Sequence, residues 1–147
     1  MKESLFEAVG GLPTLQHVHK IFYDKVYAHP WLGKFFDGHN QEAIENRQTS
    51  FMAEKMGGDV EYWGKEPYIT HRAMYITEEL FDLRTELLHE SLLEAGVPNE
   101  LCERWIKIDN AFKRKIVKDS IESFYATTWK YEKRVIIPKS CADTNKH

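Results

Sequence analysis

The sequence predicts an all-α domain, and three observations support that prediction. Apolar residues recur at helical spacing in several segments, Gly and Pro residues separate those segments, and no sustained apolar–polar alternation indicates a sheet. With 147 residues, the chain has the usual length of one domain. We therefore expect about five main helices joined by short breaks.

The first two helices have recognisable start and stop signals. Ser4 and Glu7 have the spacing of a capping box, and the Gly10-Gly11 pair should end the first helix. The second helix should run from Pro13, which suits a first-turn position, to about Ala28. The stretch HPWLGKFFDG then interrupts the helical pattern.

Three further helices are predicted from residues that suit N-caps. Asn40 precedes the third helix, which should stop at Gly57-Gly58, and residues 59–68 should form a loop. Thr77 and Asn99 precede two long helices. We expect these two helices at about 78–95 and 100–130.

The last predicted helix is long enough to carry a second apolar face. Its late apolar positions recur at helical spacing: Ile121, Phe124, Tyr125 and Trp129. This face should either fold back on the domain or support self-association, so we expect a monomer or a weak homodimer. The domain should comprise residues 1–130, including the prolonged helix, and residues 131–147 should form a loose tail.

Composition argues against several classes of protein. The chain has 20 basic and 23 acidic residues, a balance that gives no reason to expect a nucleic-acid partner. No apolar run approaches the roughly 20 residues that span a bilayer, and the N-terminus lacks the apolar stretch of a signal peptide. Cys102 and Cys141 do not make a disulfide framework. We expect a cytoplasmic protein with reduced thiols and no membrane segment.

Two polar side chains fall on or beside apolar helix faces. Gln48 lies within the apolar stripe of the third helix, and Tyr23 borders the stripe of the second. The apolar positions of the third helix are Ile44, Phe51, Met52 and Met56. Because buried polar groups need partners, Gln48 and Tyr23 either bond to each other or to backbone, or donate to a small ligand in a shared cavity.

His71 is one of seven histidines and should lie on a short helix after the loop. No HxxH, HExxH or CxxC pairing supports a zinc site made of protein ligands alone. His71 is therefore either a surface residue or the single protein ligand of an iron whose other ligands come from a macrocycle.

The order and spacing of several short motifs resemble those of the truncated hemoglobins, the two-over-two globins. The motifs are Gly10-Gly11, FYDKV, HPWLGKFFDG, Gly57-Gly58, YWGKEP, His71, IT, LFD and EAGVP. The glycine pairs and the spacing are most similar to the first group of that family. The resemblance implies a globin-like, truncated two-over-two sandwich of helices, here with an extended C-terminal helix.

The resemblance also implies a heme b cofactor, iron protoporphyrin IX, and a role for each candidate site residue. His71 matches the proximal iron ligand, and Tyr23 and Gln48 match the distal residues that hydrogen-bond oxygen. The other matches are heme contacts: Phe36, Ile44, Arg47, Met52, Tyr62 and Met74. Ile44 takes the distal position that is histidine in ordinary globins, and Arg47 matches a basic position that pairs with a propionate.

Arg84 departs from the family pattern. It stands where the second and third groups have a tryptophan, and it falls near the centre of the apolar stripe of the helix after Thr77. A guanidinium keeps its proton, so a buried Arg84 needs a carboxylate, carbonyls, water or an anion. We expect it either to reach the heme cavity, where it pairs with a propionate or favours an anionic ligand, or to extend to solvent.

Two functions are compatible with the resemblance. In the first, oxygen held at the heme reacts with nitric oxide to give nitrate, or the heme supports a peroxidase-like reaction, and a separate reductase restores the iron. In the second, the protein is a non-enzymatic carrier, store or sensor of oxygen, nitric oxide, carbon monoxide or sulfide. The resemblance argues against a third class, a heme-free helical interaction module.

Overall fold

The computed structural model describes residues 3–62, 64, 71, 73–118, 120–127 and 134–139. Within these ranges the chain forms seven α-helices and one 3₁₀ helix, and no regular strand. The elements are α1 (Leu5–Val9), α2 (Leu12–Ala28), the 3₁₀ helix Leu32–Phe36, α3 (Gln41–Lys55), α4 (Glu78–Glu94), α5 (Asn99–Asn110), α6 (Lys113–Ile116) and α7 (Ile121–Thr127). No helix in these ranges is both long and apolar enough to cross a membrane.

Side-chain caps begin α1, α3 and α4 where the sequence predicts them. The capping bonds run from the Glu7 amide to Ser4 Oγ (3.1 Å), from the Ala43 amide to Asn40 Oδ1 (2.9 Å) and from the Leu80 amide to Thr77 Oγ1 (3.2 Å). Each bond satisfies an amide that the first helical turn leaves without a partner. Gly10 ends α1 at a φ of 109°, a left-handed value that favours glycine.

The α2 helix is the centre of the fold. It packs against α3, α4 and the 3₁₀ helix, while α5 packs against both α4 and α1. The largest fully buried side chains include Trp105, Phe22, Phe81, Phe124, Leu15 and Met52. Burial of one such side chain stabilises the fold by about 1.5–3 kcal/mol. The predictions of an all-α fold and of the order of its first helices are confirmed.

The helix predicted over residues 100–130 is divided into α5, α6 and α7, so the prediction of one continuous helix was wrong. Val117 has extended backbone and forms a parallel bridge with Ile76, and the Lys118 amide donates to the Ile76 carbonyl at 2.8 Å. This pairing between distant segments overrides the helical periodicity. Asn99 is also not the N-cap of α5, because Pro98 takes that place and its carbonyl accepts from the Cys102 amide at 2.9 Å.

The described C-terminal residues fold back on the domain. The Val135 amide donates to the Ala73 carbonyl at 2.7 Å, and its carbonyl accepts from the Tyr75 amide at 2.8 Å. The indole of the buried Trp31 donates to the Ile137 carbonyl at 2.7 Å. Within the stretch that the sequence assigned to a loose tail, Val135 is therefore bonded to the segment that follows His71 and Ile137 to Trp31.

Folding back was one of the two alternatives for the late apolar face, and α7 shows it. Phe124 is fully buried, and its ring centroid lies 5.5 Å from that of Tyr75. Tyr125, in contrast, is exposed. Trp129, Cys141 and the residues on either side of His71 that were predicted to be helical lie outside the described ranges.

Candidate functional site

Tyr23 is a buried donor on the inner face of α2. Its side chain is 5% exposed, and its ring meets Phe22 and Phe36 edge to face, with centroids 4.8 and 6.0 Å apart. Burial raises the pKa of Tyr23 to about 12. The hydroxyl is therefore protonated at neutral pH and can donate a hydrogen bond.

Arg84 finds its counter-ion within the chain. Its Nη1 lies 2.5 Å from Oδ2 of Asp109, which α5 presents to α4. The Arg84 side chain is 25% exposed and the Asp109 side chain only 6%. The guanidinium also lies 5.2 Å from the centre of the Phe22 ring, and its charge opposes the larger effect of burial, which raises the pKa of Tyr23.

The setting of Arg84 combines parts of both sequence alternatives. It lies over the ring of Phe22, which packs against Tyr23, a candidate distal residue, and a quarter of its side chain reaches solvent. Burial alone lowers the pKa of Arg84, but Asp109 more than compensates, so the guanidinium stays charged. Because Asp109 neutralises this charge, Arg84 does not require a propionate or an anionic ligand as its partner, and that pairing stays a prediction.

A second polar pair is buried beside Tyr23. His19 Nδ1 lies 2.8 Å from Thr49 Oγ1, which joins α2 to α3. Burial, helped by the Arg84 charge, lowers the pKa of His19 to about 3. The imidazole is therefore neutral at physiological pH, and its ring packs edge to face on Trp105 with centroids 5.8 Å apart.

The α3 helix presents three of the predicted site residues on one face. Ile44, Gln48 and Met52 are spaced by four residues, so their side chains lie on consecutive turns. Met52 is fully buried, whereas Ile44 and Gln48 are half-buried.

Arg47 and Tyr62 line one surface cavity. The cavity has a volume of about 280 Å³, and its other lining residues are Asn46, Ser50, Glu61 and Gly64. Arg47 is exposed. Tyr62 packs edge to face on Phe51 with centroids 5.1 Å apart, and its amide donates to Glu54 at 2.8 Å.

His71 is half-buried, and its backbone is held from two sides. Its carbonyl accepts from the Met74 amide at 2.9 Å and from the Lys118 ammonium at 2.7 Å. Met74, another predicted heme contact, is itself held by a bridge to Val135. The described ranges contain no group of three or more His, Cys, Asp or Glu side chains that could hold a metal ion.

The structure therefore places Tyr23 against Phe36, and Arg47 and Tyr62 at one cavity, without showing all the predicted site residues around a single cavity. Sequence reasoning missed four polar residues of this region: His19 as a buried group, Thr49, Asp109 and Lys118. Asp109 could have been found, since it follows Cys102 and Trp105 on the buried face of α5. Lys118 gave no signal, because its contact depends on the unexpected break after α6.

Comparisons with known proteins show to which family this chain belongs. The chain belongs to the bacterial-like globin family, whose model matches residues 4–118. A group 1 truncated hemoglobin of Mycolicibacterium paratuberculosis is 34% identical over 97 residues, which cover 66% of this chain and 71% of that protein. A group 1 truncated hemoglobin of Tetrahymena thermophila is 29% identical over 105 residues, or 71% of this chain and 87% of the relative.

Solved structures give the same fold. The truncated hemoglobin of Tetrahymena pyriformis in its Fe(III) form superposes with a TM-score of 0.75 at 25% identity, over 80% of this chain and all (100%) of that chain. The group II truncated hemoglobin of Bacillus anthracis superposes with a TM-score of 0.74 at 20% identity, over 81% and 94% of the two chains, which shows the fold alone. The predicted globin-like fold is confirmed.

Membership in this family implies a heme cofactor and the binding of small gaseous ligands, and the side chains present fit a heme. Four large apolar residues pack on the core but remain half-buried: Phe36, Ile44, Tyr62 and Met74. A flat apolar macrocycle would cover such surface. The imidazole of His71 is a kind of nitrogen ligand that heme iron accepts, and the Tyr23 hydroxyl is protonated and can donate a hydrogen bond.

Proposed function

We propose that the chain holds heme b through His71 and binds oxygen beside Tyr23 and Gln48, releasing it slowly. The observation that carries this proposal is the buried, protonated Tyr23 hydroxyl, whose ring is fixed by Phe22 and Phe36. The heme, when bound, supplies the iron at which oxygen coordinates and becomes polarised.

The other site residues have separate proposed roles. Phe36, Ile44, Met52 and Met74 form apolar contacts that keep water from the ligand, and Arg47 pairs with a propionate at the cavity it shares with Tyr62. Lys118 and Met74 hold the backbone of His71 through its carbonyl. On the side of the heme where the ligand binds, the polar side chains are those of Tyr23 and Gln48.

Tyr23 donates to the partly negative oxygen and slows its release. A hydrogen bond of this kind contributes on the order of 1–3 kcal/mol, because partial charge strengthens it. Gln48 is half-buried on the neighbouring face of α3 and provides a second donor. Slow release of oxygen is compatible with two functions, and the reaction with nitric oxide distinguishes them.

The first use is nitric oxide dioxygenation. A bound heme would supply the electron needed to convert oxygen and nitric oxide to nitrate, so turnover would need a separate reductase. The second use is a carrier, store or sensor without turnover. The buried free thiol of Cys102 suits a reducing compartment, which supports the cytoplasmic location in which either use is proposed.

The oxygen dissociation rate of Tyr23→Phe tests the proposed role of the hydroxyl. We expect the rate to rise roughly ten- to a hundredfold, at about 1.4 kcal/mol for each factor of ten. Tyr27→Phe is the matched control, since Tyr27 follows one turn later, also meets Phe36, and directs its hydroxyl to the His39 carbonyl at 3.2 Å. If both variants release oxygen at the wild-type rate, Tyr23 does not hold the ligand.

Rapid mixing of the oxygenated protein with nitric oxide separates the two uses. Stoichiometric nitrate formed within the mixing time supports dioxygenation, whereas slow or incomplete nitrate formation supports the carrier or sensor. The visible spectrum recorded in the same experiment reports whether the iron has been oxidised.

A further inference from the structure

The backbone of His71 and of residues 73–76, here called the His71 segment, is held by residues near and beyond position 118, where the family match ends. The Lys118 ammonium donates to the His71 carbonyl at 2.7 Å, and the Lys118 amide donates to the Ile76 carbonyl at 2.8 Å. Val117 pairs with Ile76 in a parallel bridge. Lys118 therefore bonds to both ends of the His71 segment.

Residues further along the chain contact the middle of the His71 segment. The Val135 amide donates to the Ala73 carbonyl at 2.7 Å, and the Val135 carbonyl accepts from the Tyr75 amide at 2.8 Å. The fully buried Phe124 packs on Tyr75 with ring centroids 5.5 Å apart, and the Lys118 ammonium lies 5.9 Å from the centre of the Phe124 ring. We call this group of residues the C-terminal clamp: Val117, Lys118, Phe124 and Val135.

The position of the His71 segment depends on the clamp. Residues 73–76 lie in a turn and two isolated bridges, and the partners in these bridges are Val117 and Val135. A histidine side chain is short, so the position of its backbone limits where its ring nitrogens can lie. Contacts that hold the residue of a metal ligand in this way orient the ligand and tune its bond to the metal.

We propose that the C-terminal clamp is a positioning element for the iron ligand, with Lys118 as its principal residue. By fixing the backbone of His71, the clamp sets the strength of the bond between the His71 imidazole and a bound heme iron. This inference rests on the proposed function, in which His71 is that ligand. Phe124 and Val135 lie beyond the family match, so this role goes beyond what family membership implies.

Heme transfer from the ferric protein to an excess of a heme-free globin tests the role of Lys118. Lys118→Met keeps an unbranched side chain but removes the ammonium that donates to the His71 carbonyl. We expect heme release to be about three- to tenfold faster, since one modest hydrogen-bond energy is lost. Lys115→Met is the matched control, because Lys115 is an exposed lysine of α6, and it should release heme at the wild-type rate.

Two spectroscopic readouts separate positioning from a general loss of stability. In the deoxygenated ferrous form, the iron–imidazole stretching band should move to lower frequency in Lys118→Met and stay in place in Lys115→Met. In the carbon monoxide form, Lys118→Met should speed hydrogen exchange at the Met74 amide, which donates to the His71 carbonyl. Exchange at the Phe81 amide, in the first turn of α4, should be unchanged.

A double-mutant cycle with His71→Ala and added imidazole gives the sharpest test. Free imidazole is not joined to the backbone, so Lys118→Met should leave its stretching band in place in that background. An equal shift in both backgrounds would overturn the inference, because Lys118 would then act on the heme by another route.

The remaining outcomes distinguish the inference from the proposed function. Wild-type heme release and an unmoved band in Lys118→Met, with heme retention in His71→Ala dependent on imidazole, would overturn the inference alone. Wild-type spectra from His71→Ala without imidazole would overturn the proposed role of His71 and with it the inference.

Discussion

Removing either member of the Arg84–Asp109 pair should destabilise the protein far more than removing both. Asp109→Leu leaves a guanidinium among aromatic rings, and Arg84→Leu leaves a carboxylate that is 6% exposed. An uncompensated charge in such a place loses hydration without gaining a partner. The double variant replaces both charged groups with apolar ones and leaves no charge to solvate.

The magnitude follows from the exposure of the two side chains. Breaking a fully buried pair costs about 3–5 kcal/mol, but the Arg84 side chain is 25% exposed and keeps its contact with Phe22. With a discount for that exposure, we expect each single variant to lower the free energy of unfolding by about 2–4 kcal/mol. The double variant should lower it by about 0–1 kcal/mol, because apolar replacement of buried pairs is often neutral.

Urea unfolding of the four proteins in their carbon monoxide forms measures these differences at fixed heme occupancy. The slope of the unfolding free energy against urea concentration should be equal for the four proteins if their unfolded states are alike. These values give an expected coupling free energy of at least about 3 kcal/mol between the two positions. Additive effects of the two single substitutions would refute the assignment of Asp109 as the partner of Arg84.

Two further predictions concern other buried polar groups. The pKa of His19 is about 3 in the folded state and 6.5 when unperturbed. Between these two values the unfolded chain binds more protons than the folded chain. The free energy of unfolding therefore falls as the pH decreases through this range, by up to about 1.4 kcal/mol per pH unit. His19→Gln should flatten this loss between about pH 6 and 4, measured by urea unfolding, whereas His17→Gln, on the exposed side of α2, should keep the wild-type slope. Trp31→Phe removes the indole donor to the Ile137 carbonyl and should lower the free energy of unfolding by about 1–3 kcal/mol. Trp31→Phe should also speed amide hydrogen exchange at Val135 and Tyr75, and unchanged exchange there would show that the indole does not hold the C-terminal segment.

The first four helices were predictable because their signals are local. Caps at Ser4, Asn40 and Thr77 and the glycine pairs act within one helical turn, so short stretches of sequence contain them. The break after α6 was not predictable, since Val117 leaves the helix to pair with Ile76, and nothing near Val117 indicates that partner. The same holds for residues 134–139, since Val135 pairs with the backbone of Ala73 and Tyr75 and Ile137 accepts from the Trp31 indole, both far away in the sequence.

The candidate site was predictable to a different extent at each residue. Helical geometry identified Gln48 and Arg84 as polar residues on apolar faces, and the structure supplies Asp109 as the partner that Arg84 requires. The roles proposed for His71 and Tyr23 came from the family resemblance, because a lone histidine and a tyrosine at the edge of a stripe are ambiguous by themselves. That Arg84 lies over the Phe22 ring could not be derived, since it depends on how α2 packs against α4.

The visible spectrum of His71→Ala, with and without added imidazole, tests most directly whether His71 holds the heme. The wild type should show a strong Soret band that shifts between the ferric, ferrous and carbon monoxide forms, as should the control His89→Ala at an exposed position of α4. We predict that His71→Ala loses its heme on purification, or retains it with a normal spectrum only when imidazole is present. Wild-type spectra from His71→Ala in all three forms without imidazole would contradict the assignment of His71 as the iron ligand.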